Sequence, residues 1–124
     1  MIRVENIQKY FPIKDGFFNK KNGDVKAVEN VSFEIPEGEI LGLVGESGSG
    51  KSTLGRSLIR LIEPTNGKIF YNNEDITEFS EKEMRKLRKD FQIIFQDPYA
   101  SLDPRKKIFD IISQGISIHN KMNK

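Results

Sequence analysis

The chain has 124 residues, a formal net charge of +2 and no cysteine. This length corresponds to one domain or a part of one. Apolar residues make up 36% of the chain, which is enough to form a core but far below the apolar content of a membrane protein. No apolar run approaches the roughly 18 to 20 residues of a spanning helix. The lack of cysteine excludes disulfides and thiolate metal sites, and 20 basic against 18 acidic residues give no indication of nucleic-acid binding. Charges interrupt the N-terminal apolar residues, so we expect no signal peptide and a cytoplasmic protein.

The first part of the chain is predicted to form mainly strands. Residues 2–11 alternate loosely between apolar and polar, which favours a half-buried strand. The polar stretch 14–24 is predicted to be a surface hairpin, and residues 31–35 alternate as in an antiparallel strand with one solvated face. Residues 40–44 read ILGLV, which indicates a central parallel strand buried on both faces.

The second part is predicted to alternate between helices and short strands. Apolar spacing predicts a helix after a Gly-rich loop, ended by residues 64–67, and residues 68–76 predict a short hairpin. A capping box of the Ser-x-x-Glu type predicts a helix over about 81–88. Residues 91–95 are typical of another strand.

A last helix is predicted close to the end of the sequence. Asp103 has the chemistry of an N-cap, and Pro104 suits the first helical turn. An apolar stripe on one helix face, which needs a partner surface, is formed by Ile108, Ile111, Ile112 and Ile116. His119 opens a polar tail and is interpreted as a solvated surface residue.

The strongest signal for chemistry is the P-loop motif at residues 45–52. They read GESGSGKS and satisfy the pattern G-x-x-x-x-G-K-[ST] at every fixed position, between a predicted strand and a predicted helix. In this arrangement backbone N–H groups and the helix N-terminus converge on phosphate oxygens. Lys51 is expected to reach the β- and γ-phosphates, and the Ser52 hydroxyl is expected to coordinate Mg²⁺. The pattern alone leaves ATPases, GTPases and small-molecule kinases open. The predicted phosphate-binding residues are Gly45, Ser47, Gly48, Ser49, Gly50, Lys51, Ser52 and Thr53.

Residues 44–54, with VENVSF at 28–33 ahead of them, resemble the start of the nucleotide-binding domain of ABC transporters. In that family a glutamine after a later strand reaches Mg²⁺ and the attacking water, and its loop contacts the membrane subunit. Gln96 follows 91–95 in the matching place. The resemblance therefore implies ATP and Mg²⁺ as cofactors, catalytic roles for Lys51 and Gln96, and metal contacts by Ser52 and Gln96.

Residues 96–105 read QDPYASLDPR and are similar to a stretch of the oligopeptide, dipeptide and nickel importer ATPases. The chain departs from that subfamily at Asp103, where asparagine is more frequent, and at 114–115, where an acidic residue and proline are usual. An aromatic residue of the first strand stacks on adenine in this family. Phe11 matches that position best, with Tyr10 as the second choice.

The resemblance implies an α/β fold of the P-loop NTPase class, namely the N-terminal part of an ABC-type nucleotide-binding domain. This part would contain an antiparallel β-layer, the P-loop strand and helix, and the start of the helical subdomain. We expect residues 1–95 to form a β-layer and P-loop core. Residues 96–124 would then contain the Q-loop, which is the loop around Gln96, and the first residues of the helical subdomain. The signature motif, the Asp-Glu strand and the switch histidine of the family do not occur in these residues.

The resemblance also implies a function and partners. We expect the ATP-binding part of an importer ATPase that couples ATP hydrolysis to uptake of oligopeptides or dipeptides, with the chain alone inactive. The expected partners are a second ATP-binding subunit and permease subunits that contact the loop around Gln96, which gives a peripheral location on the inner face of the cell membrane. A truncated nucleotide-binding module without hydrolysis is the alternative, and a metabolite kinase is disfavoured by residues 96–105. The transported solute stays open.

Overall fold

The computed structural model describes residues 1–15, 20–97 and 102–119 of the chain. The backbone forms two compact units, Met1–Ser80 and Glu81–Lys124. Among the described residues, the first unit contains a sheet and one helix, and the second contains two helices.

The sheet of the first unit is antiparallel throughout. Its strands are β1 (Ile2–Asp15), β2 (Lys20–Ile35), β3 (Asn66–Tyr71) and β4 (Glu74–Asp75), in the spatial order β2-β1-β3-β4. The expected antiparallel layer is therefore confirmed. The predicted turn between β3 and β4 is also present, because both Asn72 and Asn73 adopt positive φ values (49° and 69°), as a two-residue hairpin turn requires.

The first strand continues past Pro12, beyond its predicted end at residue 11. Pro12 pairs with Asp24 of β2, so the described part of the predicted surface hairpin belongs to the sheet, while residues 16–19 lie outside the described residues. β3 pairs with β1 only as far as Gln8. Proline is tolerated where a strand has a neighbour on one side only, because its missing N–H then breaks no ladder.

A bulge at Asn6 places two apolar side chains of β1 in the core. The register of β1 against β2 shifts between Val4 and Ile7, and Asn6 adopts a φ of 49° while its N–H donates to the Ser32 hydroxyl at 2.7 Å. Residues three apart on a regular strand face opposite sides. With the bulge, Val4 and Ile7 are both buried, at 1% and 0% exposure.

Helix α1 (Lys51–Leu58) packs on β1 and β2 and buries Leu54. It ends earlier than predicted. Arg60 adopts a φ of 50°, its N–H donates to the Ser57 carbonyl at 2.9 Å, and the Leu61 N–H donates to the Arg56 carbonyl at 2.9 Å. This hydrogen-bond pattern is a Schellman motif, which stops the helix although the apolar spacing continues.

The predicted strands at 40–44 and 91–95 do not form. No strand in the described ranges pairs with either segment, and Ile40, Val44 and Ile94 are 96%, 95% and 93% exposed. An apolar run becomes a buried strand only where neighbouring strands satisfy its backbone groups. The described residues provide no such neighbours for these two runs.

The second unit contains α2 (Glu81–Leu87) and α3 (Ile108–His119). Helix α2 agrees with the prediction and buries Met84. Helix α3 begins later than predicted, because Asp103 accepts the Arg105 N–H at 3.0 Å and so closes a separate turn before the helix. None of the described helices is long and apolar enough to cross a bilayer.

Candidate nucleotide-binding site

The P-loop lies against strand β2 at Gly50. This residue precedes α1 and adopts a φ of 91°, in the left-handed region. A Cβ atom at this position would lie 2.0 Å from the Ala27 carbonyl oxygen. Only glycine therefore allows both this backbone conformation and this contact.

The N-terminus of α1 opens directly after the loop. The Leu54 N–H donates to the Gly50 carbonyl at 2.8 Å, which is the first bond of the helical ladder. The N–H groups of the preceding helical residues have no intrahelical acceptor, as at every helix start. No side chain caps this end and the first turn contains no acidic residue. The positive end of the helix is thus available to an anion.

The Lys51 ammonium lies over the loop. It donates to the carbonyl oxygens of Gly45 at 2.7 Å and Glu46 at 2.5 Å, and to the Ser49 hydroxyl at 3.2 Å. These acceptors hold the positive charge within the curve of the loop. The arrangement combines a fixed cation, a helix N-terminus and a glycine-rich backbone, which are the components of a phosphate site.

A cavity of about 400 Å³ lies between the P-loop and β2. Ala27 and Val28 of β2 form one wall, and Leu43 forms part of another next to Gly50 and Lys51. No motif in the sequence indicated a role for Ala27, because the approach of β2 to Gly50 arises only in the folded chain. The remaining P-loop side chains at Ser47 and Ser52 are exposed.

The two aromatic residues of β1 have different surroundings. The Phe11 ring is 40% exposed, and the Lys9 ammonium lies 5.0 Å from its centroid. The Tyr10 hydroxyl instead lies 3.4 Å from a carboxylate oxygen of Glu29, which the Lys26 ammonium contacts at 2.5 Å. The hydrogen bond between the Lys26 ammonium and the Glu29 carboxylate lowers the pKa of Glu29 and raises the pKa of Lys26. Neither aromatic residue is among the described residues that line the cavity.

The predicted site residues are divided between the two units. Phe11 and the P-loop belong to the first unit, whereas Gln96 belongs to the second unit, where it is exposed. The described residues contain no group of three or more histidine, cysteine or acidic side chains that could hold a metal ion. Mg²⁺ is commonly bound by few protein side chains together with nucleotide phosphates, so a magnesium site beside a nucleotide does not require such a group.

Comparison with known proteins agrees with the phosphate-site geometry. The family model described as "ABC transporter" matches residues 28–124. The chain belongs to the ABC transporter family. It is 51% identical over 121 residues to the "Oligopeptide transport ATP-binding protein AppF" of Bacillus subtilis (strain 168), which covers 97% of this chain and 37% of that protein. It is 50% identical over 119 residues to the "Glutathione import ATP-binding protein GsiA" of Escherichia coli (strain K12), which covers 96% of this chain and 19% of that protein.

Solved structures of ABC cassettes share the fold. The ATP-binding cassette MJ0796, in a dimeric post-hydrolysis state bound to ADP and Pi, aligns with a TM-score of 0.82 and 25% identity over all of this chain and 50% of that chain. A second dimeric structure of MJ0796 aligns with a TM-score of 0.80 and 27% identity. The predicted fold class is confirmed, since this ABC transporter chain corresponds to the N-terminal part of the cassette.

Proposed function

We propose that this chain is the ATP-binding part of the ATPase subunit of an ABC importer, in which ATP hydrolysis drives uptake of oligopeptides or dipeptides. The position of Lys51 over the P-loop, at the N-terminus of α1, carries the nucleotide part of this proposal. The solute class is supported by the relatives named for oligopeptide transport and glutathione import.

The residues of the chain act on the phosphates of ATP. Lys51 turns from the loop carbonyls toward the β- and γ-phosphates, while the N–H groups from Gly48 to Thr53 donate to phosphate oxygens. Ser52 and Gln96 would hold Mg²⁺, which supplies charge neutralisation when bound. Phe11 offers its exposed ring face to adenine.

The proposal includes a domain arrangement and partners. Residues 1–95 are the β-layer and P-loop core, and residues 96–124 are the Q-loop and the beginning of the helical subdomain. A second ATP-binding subunit pairs with this one, as in the dimeric solved relatives. Permease subunits contact the loop around Gln96 and hold the subunit at the inner face of the cell membrane.

The chain alone is proposed to bind ATP without hydrolysing it. Phosphoryl transfer requires a positioned water and charge stabilisation on the far side of the γ-phosphate, whereas a P-loop acts mainly from the near side. Phosphate release above background that is lost in Lys51→Ala would contradict this part of the proposal. Release that persists in Lys51→Ala would indicate a contaminating ATPase.

Calorimetric titration with Mg-ATP tests the nucleotide assignment. Lys51→Ala removes a charge-assisted contact worth roughly 1.5 to 3 kcal/mol, so affinity should fall about ten- to a hundredfold. Lys68→Ala removes the same charge from β3, where the ammonium lies 3.6 Å from Asp75, and should change affinity by less than about twofold. Equal affinities in the two variants would refute the P-loop assignment.

A further inference from the structure

Helix α2 and the turn that follows it carry four cations on one side. Lys82, Arg85, Lys86 and Lys89 are spaced at i, i+3, i+4 and i+7, which brings them together on one side of a helix and the turn that follows it. We call these four residues the α2 cationic stripe. Met84 is the buried residue of the same helix, at 1% exposure.

The α2 cationic stripe has no ion-pair partner in the described part of the chain, although Glu81 lies one helical turn before Arg85. None of its four side chains forms a hydrogen bond or ion pair with a residue in the described ranges. Like charges at i, i+3 and i, i+4 destabilise a helix, and two such pairs, Lys82 with Arg85 and Lys82 with Lys86, lie within α2. The whole chain has a net charge of only +2, so this concentration is local. A conflict between a local rule and the sequence is expected at functional sites.

The stripe lines a shallow, open depression. A cavity of about 510 Å³ is lined by all four cations and by Ile118 of α3. The Ile118 side chain is 62% exposed and forms the apolar wall of this groove. A second concavity of about 440 Å³ shares Lys82 and Arg85 with it and also contains Glu81.

We propose that this groove binds an acidic segment of a partner protein, with carboxylates on the α2 cationic stripe and an apolar side chain against Ile118. An acidic protein segment fits this lining because it can present carboxylates and an apolar side chain together, whereas a nucleic acid has no apolar side chain. Lysine and arginine side chains favour carboxylates through charge-assisted hydrogen bonds. The groove is lined by residues of the second unit, and none of them is among the predicted nucleotide-site residues.

Fluorescence anisotropy with the full 124-residue chain tests the groove. The probe is a fluorescein-labelled synthetic peptide, Asp-Glu-Leu-Glu-Asp-Glu, and its counterpart carries Asn and Gln in place of the acids. The acidic peptide should bind, and the neutral peptide should not. The double variant Lys82→Gln/Lys86→Gln should weaken binding about tenfold or more, while Arg105→Gln/Lys107→Gln, with the same charge loss in the same unit, should stay within about twofold.

Ile118→Ser separates a defined groove from general charge attraction. The substitution keeps every charge, so a loss of about threefold or more would show that the apolar wall contacts the peptide. Equal losses in the two double variants, or no peptide binding at all, would overturn the proposal. Tighter, stripe-dependent binding of phosphatidylglycerol vesicles or of a single-stranded oligonucleotide than of the peptide would also overturn it. Circular dichroism and Mg-ATP titration confirm that each variant is folded.

Discussion

Gly50 and Ala27 fix the P-loop against strand β2, because a Cβ on Gly50 would lie 2.0 Å from the Ala27 carbonyl oxygen. This contact joins the start of α1 to the sheet. Gly48 lies in the same loop with a similar φ of 82°, but a Cβ there would meet nothing within 4 Å. Gly50 is therefore required both by its backbone conformation and by the lack of space for a Cβ, whereas Gly48 is required by its backbone conformation alone.

Gly50→Ala is expected to destabilise the chain more than Gly48→Ala. Both substitutions place alanine in the left-handed region, at a cost of about 1 to 2 kcal/mol. Gly50→Ala also places the new Cβ against the Ala27 carbonyl, and such overpacking costs about 1 to 3 kcal/mol more. Thermal denaturation followed by circular dichroism measures the difference. Equal melting temperatures would mean that the loop moves away from β2 without cost.

The side-chain hydrogen bonds of Arg60 are expected to stabilise the first unit, whereas its positive φ is expected to lower that stability. The guanidinium is 8% exposed and donates to the carbonyls of Ile76 at 2.9 Å and Phe79 at 2.7 Å. Arg60→Ala leaves these acceptors unpaired and should cost about 2 to 4 kcal/mol. Arg60→Gly loses the same bonds but accepts the φ of 50° without strain, so it should be about 1 kcal/mol less destabilising.

Urea denaturation of the two Arg60 variants provides the measurement. Glu63→Gln serves as the control, because the Glu63 side chain is 55% exposed and a surface ion pair contributes about 1 kcal/mol at most. If Glu63→Gln were as destabilising as Arg60→Ala, the ion pair would account for the effect. The carbonyl contacts would then be unimportant.

Phe11 is expected to affect ATP affinity more than Tyr10. The Phe11 ring is partly exposed, whereas the Tyr10 hydroxyl faces Glu29. Loss of aromatic stacking costs about 1 kcal/mol, so Phe11→Ala should weaken Mg-ATP binding about three- to tenfold. Tyr10→Ala should stay within about twofold. The reverse order in calorimetry would assign adenine stacking to Tyr10.

Asp75 is expected to make stability depend on pH in the acid range. Hydrogen bonds from Thr77, aided by the nearby Lys68 charge, lower the pKa of Asp75 below its ordinary value of 3.8. A group whose pKa is lower in the folded state contributes stability above its unfolded pKa, and this stability is lost as pH falls through the folded pKa. Asp75→Asn should therefore be less stable than the parent at pH 7. The difference should shrink below about pH 4.

Urea midpoints at pH 7 and at pH 3 test the role of Asp75. The contribution is small because its side chain is 37% exposed. Glu74→Gln removes the neighbouring carboxylate of β4 and serves as the matched control. A constant difference between the parent and Asp75→Asn across this range would contradict the assignment.

Local signals in the sequence were sufficient for the family and for much of the β-layer. The P-loop at 45–52 depends on residue types at fixed spacing, and such a pattern is readable without tertiary structure. The turn at Asn72 and Asn73 and the start of helix α2 were predictable for the same reason. Each of these features is stabilised by groups within a few residues of one another.

Features that depend on distant partners needed the folded chain. The run at 40–44 has the composition of a buried strand but lies outside the sheet, because strand formation requires neighbours that pattern alone cannot supply. The bulge at Asn6 involves a contact with Ser32, and the Arg60 side chain donates to the distant carbonyls of Ile76 and Phe79. The approach of Gly50 to Ala27 likewise joins residues far apart in sequence. Composition and spacing record what a segment can form, whereas the register of packed elements decides which side chains meet.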